Sequence, residues 1–140
     1  VYGSAGDRDH EAIGARIITS YLSKHIDDQE LINLVSQIIS EQEGTKQTTT
    51  ESRLAKDADR LDNYGFIKIW RTITYANYSK RNIDRLKEFW IGEKARDSAR
   101  AYLDKFNFPV IKKIAVERFK KLDYLISEID RESEGKDILR

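Results

Sequence analysis

The chain has 140 residues, enough for one domain with one hydrophobic core, and its formal net charge is +1. This balance gives no electrostatic reason to expect nucleic acid or an anionic membrane as a partner. Cysteine is absent, which excludes disulfides, thiolate metal sites and a thiol nucleophile. No stretch approaches the roughly 18 apolar residues of a membrane-spanning helix, so the sequence predicts no membrane span. We expect a cytoplasmic location, although cysteine usage does not decide the compartment.

Apolar residues at helical spacing dominate the first half of the chain. They predict one helix to about His25 and a second to about Gln42, with Asp27 or Asp28 as the cap that begins it. The polar stretch 44–50 has no periodicity and is the best candidate for a disordered segment or a mobile lid. The central helix follows over residues 51–63, and Tyr64 and Gly65 are expected to end it.

The second half continues with the same periodicity. Helices are predicted over residues 66–78, 83–92 and 95–106, and a last one begins at Pro109, whose missing N–H costs nothing in a first turn. Four aromatic residues are predicted to be core: Trp70, Phe89, Trp90 and Phe119. No segment alternates with period two. The sequence therefore predicts an all-α, single-domain bundle of six or seven helices over residues 1–132, with a charged tail at 133–140.

The central helix carries an unusual concentration of acidic groups. Leu54, Ala58 and Leu61 fall at helical spacing and predict its buried face, and Asp59 and Asp62 lie on the adjoining stripe. A carboxylate beside a core requires a cation, either a metal or an arginine, because burying an unpaired charge is costly. The alternative is an ordinary amphipathic helix with a solvated polar face.

Two arginines flank this acidic run, and one histidine lies near the start of the first helix. Arg60 and Arg71 could grip a phosphate bidentately, or each could pair with a neighbouring aspartate. A helix N-terminus disfavours the imidazolium form, which would leave His10 neutral and able to bind a metal; the alternative is plain polar surface. The HExxH, GxGxxG, P-loop and GxSxG motifs are absent.

Residues 57–71, DADRLDNYGFIKIWR, carry a more specific signal than helical periodicity. They resemble the segment that closes the signature of the HD-domain metal-dependent phosphohydrolases, with ADRLD at 58–62, then Gly65 and Arg71. Residues 9–22 resemble the helix that follows the family's His-Asp doublet, and residues 115–132 resemble its closing helix. The resemblance spans most of the chain and implies an all-α fold.

The resemblance also implies a site. It suggests a divalent metal (Mn, Mg, Fe or Zn) with Asp59 as a ligand and His10 as a second ligand or a phosphate contact. Asp59 and Arg60 would form the catalytic group. The implied substrate is a nucleotide or another small phosphorylated molecule, and the residues expected to line its site are Asp62, Asn63 and Arg71.

The chain departs from the family pattern at its other metal ligands. No His-Asp pair occurs, and residues 40–42 stand where the family often has a further histidine. Two explanations are open: the missing ligands precede Val1, which the absence of methionine makes plausible, or the chain has lost catalysis. The first predicts a phosphohydrolase domain. The second predicts a non-catalytic HD-like module that binds a nucleotide or a protein partner within a larger protein, and a purely structural bundle is a third reading.

Overall fold

The fold of the chain is entirely helical where the structure describes it. A computed structural model describes residues 10–78 and 93–138, and these ranges contain helices and turns but no strand. The helices are α1 His10–Leu22, α2 Gln29–Ser40, α3 Thr50–Leu61, α4 Phe66–Tyr78, α5 Glu93–Tyr102, a 3₁₀ helix Leu103–Lys105 and α6 Pro109–Ser133. The all-α prediction is confirmed. The helix predicted around Phe89 and Trp90 lies outside the described residues.

Local chemistry sets several of the helix starts. The side chain of Asp28 accepts a hydrogen bond from the backbone N–H of Leu31 at 3.0 Å and caps α2 as predicted. Thr49 and Ser52 form a reciprocal capping box at the start of α3, in which each side-chain oxygen accepts from the other residue's N–H. Pro109 occupies the first turn of α6, as predicted.

The chain divides into two compact units, with the boundary between Lys56 and Asp57 inside α3. In the first unit α1 and α2 pack as an antiparallel pair, in which Gly14 near the start of α1 lies against Ile39 near the end of α2. A β-carbon on Gly14 would approach the Ile39 side chain to 3.3 Å, so glycine permits this close approach. Ala15 and Ile32 are the buried apolar residues of the pair.

The loop predicted as a candidate lid is tied to the residue that ends α2. The carboxylate of Glu41 accepts hydrogen bonds from the backbone N–H and the hydroxyl of Thr48. The side-chain amide of Gln47 donates to the carbonyl oxygens of Glu41 and Gly44. Hydrogen bonds to Glu41, led by that of the Ser52 hydroxyl, lower the pKa of this carboxyl to about 2.

The second unit has an aromatic core between the end of α3, the 3₁₀ helix and α6. Its buried members are Tyr64, Leu103, Phe106, Ala115 and Phe119. The Tyr64 hydroxyl donates to the carbonyl oxygen of Ala99 at 2.8 Å, and burial raises the pKa of this phenol to about 12. Phe119 is thus core, as predicted.

Gly65 ends the central segment as predicted, and its conformation explains why. Its φ of 78° lies in the left-handed region that glycine adopts without strain. A β-carbon there would also lie 3.3 Å from the side chain of Arg118 on α6. Glycine suits this position for both a conformational and a steric reason.

The predicted buried faces of α3 and α4 are partly wrong. Leu54 and Ala58 are exposed, and the buried residues of α3 are Ser52 and Asp57. On α4, Trp70 is 74% exposed, so the prediction that it is core is wrong. In both helices the side that is buried depends on partners distant in the sequence, which periodicity does not reveal.

Candidate functional site

Asp57, the first residue of the DADRLD run, is the buried carboxylate of this segment. Its side chain is 0% exposed. One of its oxygens accepts from the backbone N–H of Phe108 at 2.9 Å, and the backbone N–H of Asn107 donates to the same oxygen at 2.8 Å. The other oxygen accepts from the side-chain amide of Asn107 at 2.9 Å. Asp57 thus fastens the end of α3 to the start of α6.

This arrangement suits the physical chemistry of both partners. Phe108 is the N-cap residue of α6 and has no side-chain acceptor of its own. The N-terminus of a helix carries exposed N–H groups and a positive partial charge, so an anion there is favoured. Asp57 supplies that anion from another helix, and its own burial is compensated by the hydrogen bonds that it accepts.

The guanidinium of Arg60 also contacts the buried Asp57 carboxylate. Its Nη1 lies 3.2 Å from an Asp57 oxygen and also donates to the carbonyl oxygen of Lys105. The Asp57–Arg60 pair therefore holds α3, the 3₁₀ helix and the start of α6 together. The catalytic role expected for Arg60 stays a prediction, and in this structure its side chain is engaged in packing the fold.

Asp59, the predicted metal ligand, lies on the solvent-exposed side of α3. Its side chain is exposed, and no group within residues 10–78 and 93–138 donates a hydrogen bond to its carboxylate or pairs with it. The sequence predicts that Asp59 borders the core and is compensated there by a cation. This expectation is wrong, because the structure gives the buried position and its arginine partner to Asp57. Asp59 is thus a carboxylate on a fixed helix end, open to solvent.

The other predicted site residues of this segment are exposed, and two contacts join them to α4. Asp62 pairs with Arg71 at 3.6 Å, and both side chains are exposed. Asn63 accepts a hydrogen bond at its Oδ1 from the Lys68 ammonium at 3.1 Å. We call these four residues the outer polar cluster: Asp62, Asn63, Lys68 and Arg71. The side-chain amide of Asn63 donates to the backbone carbonyl oxygen of Asp59 at 3.5 Å, which connects the cluster to the last turn of α3.

Lys68 is the member of the outer polar cluster that the sequence did not single out. Its side chain is half-buried on α4, and this burial, followed by the nearby charge of Arg71, lowers its pKa to about 8. A lysine one turn from an arginine is common on helices and gave no signal in the sequence. Only the burial of its stem in the fold distinguishes it.

His10 belongs to the first unit and joins two glutamates there. Its Nε2 lies 3.0 Å from a carboxylate oxygen of Glu43 and 3.6 Å from one of Glu11. Among residues 10–78 and 93–138, these three are the only such trio whose potential ligand atoms all lie within 4.8 Å of one another. Imidazole nitrogen and carboxylate oxygen are donors that Mn, Fe and Zn accept.

The electrostatics of this trio favour the charged form of Glu11. The pKa of the Glu11 carboxyl is lowered, chiefly by a hydrogen bond from its own backbone N–H in the first turn of α1. Hydrogen bonding with Glu43 and the charges of His10 and Lys56 lower this pKa further. Glu11 could have been suspected from its place beside His10. Glu43 comes from the turn after α2, and no local pattern signals its approach.

Comparison of the chain with protein-family models, with curated proteins and with solved structures finds no match in any of the three. Within the described ranges, no helix is both long enough and apolar enough to cross a membrane.

Proposed function

We propose that the chain forms part of an HD-type metal-dependent phosphohydrolase, which cleaves a phosphoester in a nucleotide or another small phosphorylated molecule. The observation that supports the proposal is that the polar residues of the DADRLD run have two different structural roles. Asp57 and Arg60 fix the end of α3, and this leaves the Asp59 carboxylate exposed on a rigid support. A ligand group held on a rigid element is what a metal site requires.

Among residues 10–78 and 93–138, the trio His10, Glu11 and Glu43 fits a divalent cation, because its one nitrogen and two carboxylates lie within 4.8 Å of one another. Asp59 belongs to no such trio and offers a single exposed carboxylate, so a metal there would need further ligands. A bound divalent metal would polarise a phosphate oxygen and lower the pKa of a coordinated water. The trio belongs to the first unit and Asp59 to the second.

The substrate phosphate would be held by the cations of the outer polar cluster. Arg71 presents an exposed guanidinium whose bond to Asp62 is long, at 3.6 Å, so an incoming phosphate can compete for it. The Lys68 ammonium donates to the Oδ1 of Asn63, which lies in the turn before α4. Arg71 and Lys68 take the phosphate-binding role more readily than Arg60, whose guanidinium is committed to Asp57 and the Lys105 carbonyl.

The test is turnover of phosphoesters with Mn²⁺ or Mg²⁺ by the chain and its Asp59→Ala variant. We expect the variant to lose more than about 100-fold in rate, since outer-shell partners of metals alone are worth about 10–100-fold. Asp97→Ala is the matched control, because Asp97 is also an exposed aspartate on a helix of the second unit. Turnover that survives Asp59→Ala unchanged would show that the proposal is wrong.

A second candidate is a non-catalytic HD-like module that binds a nucleotide or a protein partner. The observation that favours it is the absence of any His-Asp pair from the sequence, together with the use of Arg60 in packing. Titration with Mn²⁺ and with a nucleoside triphosphate, followed by calorimetry, separates the two. Binding that weakens in Asp59→Ala without turnover in either protein would favour the module.

A further inference from the structure

One side of α4 is apolar and faces outward. The exposed large residues on it are Phe66, Ile67, Trp70, Ile73 and Tyr78, each between 55% and 81% exposed. Thr74 and Asn77 complete the same side, which we call the outer face of α4. Isolated exposed apolar residues are common, but a contiguous patch on one helix indicates an interaction surface.

The outer face carries no charge. The charged residues of α4 are Lys68, whose side chain is half-buried, and Arg71, which pairs with Asp62. The Thr74 hydroxyl donates to the carbonyl oxygen of Trp70 at 2.9 Å, so it needs no partner from outside the helix. The whole outer face can therefore be covered by another apolar surface without stranding a charge.

We propose that the outer face of α4 is a dimer interface, on which a second copy of this chain packs its own α4 antiparallel around a two-fold axis. Only residues close to a two-fold axis meet their own copies, so a charged residue there would face a like charge. The outer face avoids this. Ile73 lies near its middle, where it would meet its own copy across the axis, and Trp70 would pack beside it one turn away.

The exposed area of the outer face falls at the lower end of the range for specific interfaces. At about 200 Å² for a large side chain, the five exposed residues offer roughly 650 Å² of surface. Specific interfaces bury about 600–1,000 Å² on each partner. Helix α4 has 13 residues, about 20 Å, and therefore spans a contact of this size along its length. This proposal is independent of the phosphohydrolase function.

Sedimentation velocity over a range of chain concentrations tests it. We expect a reversible species of twice the 16.3 kDa chain mass, and we expect Trp70→Lys and Ile73→Lys each to weaken dimerisation at least about tenfold. The matched control is Tyr124→Lys, because Tyr124 is an equally exposed aromatic on α6 and lies outside the outer face. Circular dichroism confirms that the variants remain helical.

The absence of cysteine allows a second, geometric readout. Ile73→Cys should give a disulfide-linked dimer under mild oxidation, because two cysteines near a two-fold axis come within bonding distance, whereas Tyr124→Cys should not. A chain that stays monomeric at all concentrations overturns the proposal and leaves this face to another occupant. So does a dimer that Trp70→Lys and Ile73→Lys leave intact.

Discussion

Replacing Asp57 with alanine should destabilise the second unit far more than replacing Asp59, although the two aspartates lie two residues apart in one helix. Asp57→Ala removes the acceptor of the backbone N–H groups of Asn107 and Phe108 and the buried partner of Arg60. A fully buried donor left unsatisfied costs about 1–3 kcal/mol, and breaking a fully buried ion pair from one side costs about 3–5 kcal/mol. Asp57 is fully buried, whereas its donors on Asn107, Phe108 and Arg60 are only partly buried, so each of these costs is reduced by water. Because these terms overlap, we expect about 3–5 kcal/mol in total.

The measurement is urea unfolding followed by circular dichroism, with the free energy of unfolding extrapolated to water. Asp59→Ala is the control and should stay within about 0.5 kcal/mol of the natural chain, since its side chain is exposed. Asn107→Ala should cost an intermediate amount, about 0.5–1.5 kcal/mol, because it removes the side-chain bond to Asp57 and keeps the backbone bond.

The magnitude matters because a domain of this size has only about 5–15 kcal/mol of stability. Asp57→Ala would therefore consume a large part of the stability of the fold. If its free energy of unfolding falls by less than about 1 kcal/mol at an unchanged denaturant slope, Asp57 is not the anchor of α6 that the hydrogen bonds indicate. The interpretation that Asp57 anchors the run and thereby holds Asp59 on a rigid support would then be wrong.

Three further predictions concern backbone conformation and titration. Gly65→Ala should cost more than Gly135→Ala in urea unfolding: both glycines have positive φ, worth about 1–2 kcal/mol for alanine, but only Gly65 also has a neighbour within 3.3 Å of the added carbon. The folded pKa of Glu41 lies near 2, below the ordinary 4.5, so its stabilising contribution is complete above pH 4.5 and is lost as the pH falls toward 2. Thermal unfolding at several pH values should show this loss, and Glu41→Gln should flatten it. The folded pKa of Lys68 lies near 8, below the ordinary 10.5, so the unfolded chain binds more protons between these values and stability rises with pH across that window. Lys68→Met should be at least as stable as the natural chain at pH 7, an advantage that shrinks by pH 10.5; a constant difference across the window would contradict the assigned pKa.

Local sequence predicted the helices well because helix ends depend on nearby residues. Asp28 caps α2 through an N–H three residues away, and Pro109 begins α6 with a φ that the ring already fixes. Gly65 breaks the chain between α3 and α4 through its own conformation. Each of these effects acts within one turn, so a single pass along the sequence finds it.

The role of Asp59, Asp62, Asn63 and Arg71 as a site stays a prediction; the structure shows that all four are exposed and that Asp62 pairs with Arg71. The glutamates beside His10 were not foreseen, because Glu43 reaches it from the turn after α2, more than thirty residues along the chain. A cluster assembled from separate elements has no signature in the local sequence.

By itself the sequence determined that the chain is helical, where most of its helices begin and end, and that one run concentrates acidic groups. Only the tertiary structure decided which aspartate of that run is buried and which side of α4 meets solvent. The physical reason is that a carboxylate can be buried only where donors surround it, and the donors for Asp57 come from Asn107 and Phe108, about fifty residues later. Periodicity records that a residue lies on a face of a helix, but the partner that covers that face belongs to another part of the chain.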